Sequence, residues 1–205
     1  MNIYLIRHGE TDFNKEGRYV GKTDLPLSKE GREYLTKADF DIERVYVSNL
    51  KRTAETAKVM FPNAKSLPVE DIREMDFGDF EGKNAEEMKE DKAYRDWVDN
   101  DCLPRCPNGE SKDEFSERVC RGFENIFTKE REKGSDKLVA VVHGGTIMAF
   151  MEKFALPRKP YYEWIPGNAE GYLLELKDGD DMRNCVLKGH LAYHKENAPK
   201  NIHEM

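Results

Sequence analysis

Asn2-Ile3-Tyr4-Leu5-Ile6-Arg7-His8-Gly9-Glu10-Thr11 opens with a short, apolar, β-branched run and passes at once into an arginine, a histidine and a glycine. Such a run, closed by glycine, reads as a buried strand. Gly9 lets the chain leave the strand end sharply. The same design recurs twice. Val45-Tyr46-Val47 leads through Ser48 into Asn49 to Met60, where Leu50, Ala54, Ala57 and Met60 recur at helical spacing until Pro62 stops the helix. Leu138 to Val142 closes in His143-Gly144-Gly145-Thr146, and Ile147 to Phe154 reads as the next helix. Strands alternating with helices predict an α/β fold with a mostly parallel sheet.

Further features fill in the chain. Ser28 has the character of an N-cap for a helix over about Lys29 to Lys37. Ser66 to Val69 reads as extended. Residues 82–110 are polar, carry Tyr94, Trp97, Cys102 and Cys106, and end near Gly109, which predicts an inserted cap within one domain spanning 1–205. Ser111 to Lys133 reads as a long amphipathic helix with Phe115, Val119, Phe123, Ile126 and Phe127 inward. Tyr172 to Leu176 and Cys185 to Leu187 predict two strands joined across a turn at Gly179. The tail from His190 is polar and carries no clear pattern.

Composition narrows the class. The 205 residues include 36% charged side chains, yet the apolar ones cluster in short runs, as in a globular protein. A net charge of -7 disfavours nucleic acid, which wants a basic face. A small anion remains suitable, because a few local arginines can reverse the potential inside one pocket. The four cysteines follow no zinc-ligand spacing and read as reduced thiols. No stretch approaches the ~18 apolar residues of a membrane span. The chain starts directly with a strand and no signal peptide, so the expected location is cytoplasmic.

In an open parallel sheet, ligands bind beyond the carboxyl ends of the strands. If the three strands are neighbours, Arg7 and His8, Arg52 in the first helical turn after Ser48, and His143 all meet at one edge. Helix N-termini there would add free N–H groups. Singly, each has a plain reading: a structural histidine, a solvated arginine, a tight turn. Together, at three strand ends, they predict a phosphate pocket.

Arg7-His8-Gly9-Glu10-Thr11, Asn14, Gly21 and Ser48-Asn49-Leu50-Lys51-Arg52-Thr53-Ala54-Glu55-Thr56-Ala57 resemble the histidine phosphatase superfamily, in its phosphoglycerate-mutase-like branch. Arg73-Glu74-Met75-Asp76-Phe77-Gly78-Asp79-Phe80-Glu81-Gly82 and Val142-His143-Gly144-Gly145 continue the resemblance in the same order, to about residue 176. It implies a three-layer α/β/α sandwich and no metal or other cofactor. It implies His8 as the phosphoryl-accepting nucleophile, with Arg7 and Arg52 on the phosphate and His143 as a third donor if it is protonated. Asn14, Gly21 and the N–H of Gly144 would be further substrate contacts, and Glu74 the general acid. Asp76 is the first rival to Glu74. Asp79 and Glu81 are further rivals whose plain reading is a solvated loop.

The resemblance leaves three readings. A phosphatase is favoured over a mutase because Lys83, Lys89, Lys92, Arg95 and Arg105 of the insertion include no adjacent arginine pair for a second anionic group. A non-catalytic module that binds a phosphorylated partner is the third. Among phosphatases, Tyr94-x2-Trp97-x-Asp99 and Pro107-Asn108-Gly109-Glu110-Ser111-x3-Phe115-x2-Arg118 are similar to α-ribazole phosphatases and to broad-specificity members alike. Tyr94 and Trp97 either line the cap's substrate face or form its core. His190-x3-His194 has the spacing of helical metal ligands but lacks partner residues, and His203 stands apart. Neither P-loop nor dinucleotide glycine motifs occur. The sequence leaves the oligomeric state open.

Overall fold

The computed structural model describes residues 1–195. In chain order the elements are β1 Asn2–Arg7, α1 Asp12–Lys15, α2 Lys29–Tyr34, β2 Arg44–Val47, α3 Lys51–Met60, β3 Lys65–Pro68, α4 Ala85–Met88, α5 Lys92–Asp99, α6 Lys112–Glu132, β4 Lys137–Val142, α7 Gly144–Phe154, β5 Ala155–Leu156, β6 Glu170–Glu175 and β7 Cys185–Ala192. Seven strands form one sheet in the order β3-β2-β4-β1-β6-β7-β5. The first four are mutually parallel, and β6 turns antiparallel against β1.

The central strands are apolar on both faces because both are covered. Ile3, Leu5, Tyr46, Ala140 and Val142 face the side packed by α6 and α7, whereas Ile6, Val45, Val47, Val139 and Val141 share a second cluster with Ala57 and Met60 of α3. The result is a three-layer α/β/α sandwich. Register then sets the site. Arg7 lies beside Val142 and Val47 beside Val141, so β1, β4 and β2 end level with one another. The residues that follow, His8, His143 and Ser48, therefore emerge along one edge.

Several boundaries differ from the sequence expectation. The helix after Ser28 stops at Tyr34, because Leu35 turns into the core and takes extended backbone that bridges to His194. A short α1 forms where a loop is expected, held by a capping box between Thr11 and Asn14. The helix α7 begins at Gly144, with His143 as its N-cap. The strand β7 runs on to Ala192, and Met182–Asn184 forms a 3-10 turn between β6 and β7.

Residues 82–110 hold α4 and α5 and pack inward. Tyr94 and Trp97 are buried among Tyr19, Phe77 and Phe80, largely edge to face. The Tyr94 hydroxyl lies 3.0 Å from that of Tyr19, and Trp97 Nε1 donates to Pro104 O at 3.0 Å. Both aromatics are thus core of this segment. The helical metal pair is also absent. His190 lies in β7 against the Tyr172 ring, and His194 Nε2 is 3.0 Å from Glu170 Oε1. His203 lies outside the described residues. Among those described, all four cysteines are free thiols, and no helix is long and apolar enough to cross a membrane.

Candidate active site

The end of β1 delivers His8 into a nearly closed position, 4% exposed. Its Nδ1 lies 2.6 Å from Gly9 O. A carbonyl only accepts, so Nδ1 carries the hydrogen and Nε2 keeps its lone pair. Burial pushes the His8 pKa well below its ordinary value, and the charges of Arg52 and Arg7 push the same way. His8 is therefore neutral and nucleophilic between two cations. Gly9 is small for packing, since an added Cβ would meet Leu35 and Leu27 at 3.2 and 3.3 Å. Its N–H is anchored by Thr56 Oγ1 at 2.9 Å.

Arg52, in the first turn of α3, is fully buried. Nη1 donates to Thr23 O at 2.8 Å, Nη2 to Gly21 O at 2.8 Å and Val20 O at 3.4 Å, and Nε to His143 Nδ1 at 3.2 Å. Burial lowers its pKa to about 10, still charged near neutrality, with Glu74 opposing the shift. The carbonyls that hold it belong to a loop tied down by Glu81. Oε1 of that carboxylate accepts from the N–H groups of Gly21, Lys22 and Phe77, and Oε2 from Thr23 Oγ1. Glu81 is a loop clamp, which corrects its reading as a solvated side chain. Gly21 likewise differs from a free substrate donor, because its N–H is taken by Glu81 and a Cβ would stand 1.8 Å from Met75 O.

His143 accepts from Arg52 at Nδ1, so its Nε2 carries the hydrogen, 2.8 Å from Ser48 Oγ. Burial, Arg52 and His8 all lower its pKa far below the ordinary value. The buried ring is a neutral imidazole with its hydrogen on Nε2. Its ring stands 5.2 Å from that of His8, edge on at 66°.

Arg7 completes the cationic wall. Nη1 donates to Pro166 O at 2.8 Å, while the buried Nε has no partner. That Nε lies beside the start of α7, 3.5 Å from where a Cβ on Gly144 would stand. A buried donor without a partner costs ~1–3 kcal/mol, which an anion at this place offsets. Asn14 Oδ1 accepts from Thr11 N at 3.0 Å and Thr11 Oγ1 at 2.9 Å, so any contact with an anion runs through Nδ2.

Glu74 faces the same edge. Its Oε1 accepts from Met75 N and its Oε2 from Gly145 N, each at 2.9 Å. Burial raises its pKa above the ordinary carboxyl value, although both amides, Arg52 and Arg7 pull it down. The rivals are engaged elsewhere. Asp76 accepts from Gly78 N at 2.9 Å and Lys22 Nζ at 3.1 Å, and the exposed Asp79 accepts from Asn108. Of these four carboxyls, Glu74 is the one bonded to the N-terminus of α7. Among the described residues, no group of three or more His, Cys, Asp or Glu side chains is placed to hold a metal. The supporting roles of Thr56, Ser48 and Asn168, whose Nδ2 donates to His8 O at 3.1 Å, were not expected from sequence, because each contact joins distant segments.

A neutral imidazole with a free ring nitrogen, two guanidinium groups and a carboxyl with a raised pKa have the chemistry that phosphoryl transfer requires. The family description of the histidine phosphatase superfamily (branch 1) matches residues 3–184, and the chain belongs to that superfamily. It is similar to the uncharacterized phosphatase PhoE of Bacillus subtilis, 30% identical over 75% of this chain and 77% of that protein. Phosphoglycerate mutase-like protein 4 of Arabidopsis thaliana is 31% identical over 87% of this chain and 80% of its own length. In fold, the α-ribazole phosphatase of Shigella flexneri superposes with a TM-score of 0.76 at 22% identity, over 92% of this chain and 95% of that one.

Proposed function

We propose that the protein is a phosphomonoesterase that carries the phosphoryl group on His8 during turnover. The observation that carries this reading is the His8 Nδ1 to Gly9 O bond of 2.6 Å, which leaves Nε2 unprotonated beside the charges of Arg52 and Arg7. In the first step Nε2 attacks phosphorus and the ester P–O bond breaks. Glu74 gives its proton to the leaving oxygen, which departs as the alcohol. In the second step water attacks phosphorus, Glu74 takes a proton from it, and the P–N bond breaks to release phosphate and restore His8. The equatorial oxygens carry negative charge throughout, and the guanidinium groups stabilise it in the role a divalent cation plays elsewhere.

Hydrolysis is favoured over mutase activity by the state of the cap's cations. Lys89, Lys92, Arg95 and Arg105 each face a carboxylate (Glu86, Asp96, Glu90 and Glu114) and not one another. No paired cationic subsite for a second anionic group is formed by them. The substrate is a small phosphomonoester. Because Tyr94 and Trp97 pack into the core, they supply no stacking surface for a flat heterocycle, and α-ribazole 5′-phosphate is the specific candidate on the motif resemblance alone.

The test is phosphate release from a panel of phosphomonoesters in EDTA, wild type beside His8→Ala. The panel includes α-ribazole 5′-phosphate and 3-phosphoglycerate, with 2-phosphoglycerate followed in parallel. Release by wild type alone supports the proposal, and the best ester names the substrate. Isomerisation with little release would make the protein a mutase. Phosphate binding without turnover of any ester would make it a binding module.

A further inference from the structure

Arg118 and Glu110 lie apart from His8 and its arginines, yet their side-chain hydrogen bonds join them to each other and to the segment that carries Glu74. Arg118, on α6, grips Glu110 bidentately, Nε to Oε1 at 2.8 Å and Nη2 to Oε2 at 2.7 Å. Its other hydrogens go to backbone carbonyls. Nη1 donates to Asp71 O at 2.9 Å and Arg73 O at 3.2 Å, and Nη2 to Glu74 O at 3.2 Å. All five N–H donors of the guanidinium are used. Glu110 grips the other side: Oε2 accepts from Asp76 N at 2.9 Å and its own N–H donates to Asp76 O at 2.8 Å. Burial pushes the Glu110 pKa up, but Arg118 and the Asp76 amide outweigh it and keep the carboxylate ionised.

The backbone is thus pinned at residues 71, 73 and 74 by one side chain and at residue 76 by the other. Glu74 sits between the two clamps. Its carboxyl bonds only fix where the head points, whereas the clamps fix where its Cα stands. The arrangement needs the planar fork of arginine, since a lysine has three donors at one point and cannot span a carboxylate and three carbonyls.

We propose that Arg118 and Glu110 are positioning residues for proton transfer by Glu74, holding its backbone so that the carboxyl meets the leaving oxygen. The inference rests on the reading of Glu74 as the acid. An acid matters when the leaving group is a poor one, such as an alkyl alcohol, and little when it leaves unaided, such as 4-nitrophenolate. A merely structural role would lower both rates together.

The experiment compares kcat and KM for an alkyl phosphate and for 4-nitrophenyl phosphate in wild type, Glu74→Gln, Arg118→Lys and Glu110→Gln, with each unfolding midpoint measured. Glu74→Gln sets the full leaving-group signature. Arg118→Lys and Glu110→Gln are expected to lower kcat/KM, which reports the P–O cleavage step and not the later attack of water, ~30-fold or more for the alkyl ester, with a much smaller loss for the aryl ester. If Arg118→Lys does not fold, Glu110→Gln alone decides. Equal losses on both esters, or no loss on the alkyl ester, overturn the positioning role while Glu74→Gln keeps its signature. A Glu74→Gln variant with no leaving-group signature overturns the acid assignment and the positioning role with it.

Discussion

Gly145→Ala probes the acid without touching any charged group. Gly145 is the second residue of α7, and its backbone has no positive φ that alanine would resist. Alanine inside a helix is in fact favoured by ~1 kcal/mol over glycine. The difficulty is local: the new Cβ would stand 2.3 Å from Glu74 Oε1 and 3.1 Å from its Cδ. Real Cβ contacts essentially never fall below 3.0 Å, so the carboxyl must retreat by at least 3.0 − 2.3 = 0.7 Å. Its 2.9 Å bond to the Gly145 N–H then lengthens past useful range. A misplacement of ~1 Å at a reacting group costs about 10²-fold in rate. The expected result is a variant with an unfolding midpoint at or slightly above wild type and kcat/KM for an alkyl phosphate about 10²-fold lower. Loss on 4-nitrophenyl phosphate should be far smaller. Stopped or continuous phosphate-release assays on the two esters give the ratio. Wild-type kcat/KM on the alkyl ester in a folded Gly145→Ala protein would refute the placement of Glu74 as proton donor.

Stability should also depend on pH in a defined sense. His8 and His143 have folded pKa values depressed below the ordinary 6.5, so below that pH the unfolded chain binds protons the folded one refuses. Each contributes up to ~1.4 kcal/mol of lost stability per pH unit as pH falls. Glu74, with its pKa raised above 4.5, opposes them by binding a proton in the folded state. With two histidines against one carboxyl, stability should fall on going from about pH 6 to about pH 5. Urea unfolding at the two pH values measures it, and a flat or reversed dependence contradicts the neutral-histidine assignment. Arg52→Lys should lower kcat about 10²-fold or more, because no lysine keeps the bonds to Thr23 O, Gly21 O and His143 Nδ1 together. A rate within a factor of a few of wild type would show that charge alone suffices there.

The three strands and the residues closing them were legible because apolar runs ending in Arg-His-Gly, Ser and His-Gly-Gly are local signals, and the parallel sheet then brings them to one edge. The limits of β7 were hidden because its faces alternate buried and exposed, so Lys188, Gly189 and His190 break the apolar run. The charge of His143 was open in the sequence because it depends on burial and on Arg52, 3.2 Å away across 91 residues of chain. The same holds for Glu81 and Arg118. The Glu81 carboxylate reads as solvated in sequence and the Arg118 guanidinium carries no local signal of its role, since only the fold supplies the backbone groups that claim them. Tyr94 and Trp97 could face inward or outward on helical spacing alone, and the ring cluster around Tyr19 and Phe80 decides it.

The central claim is that the phosphoryl group rests on His8. Rapid mixing with a labelled phosphomonoester, alkaline quench and peptide mapping by mass spectrometry tests it most directly. One phosphoryl group, stable in base and labile in acid, is expected on the peptide containing His8, and none in the His8→Ala protein. Phosphoryl label on another residue, or undiminished turnover by His8→Ala, would contradict it.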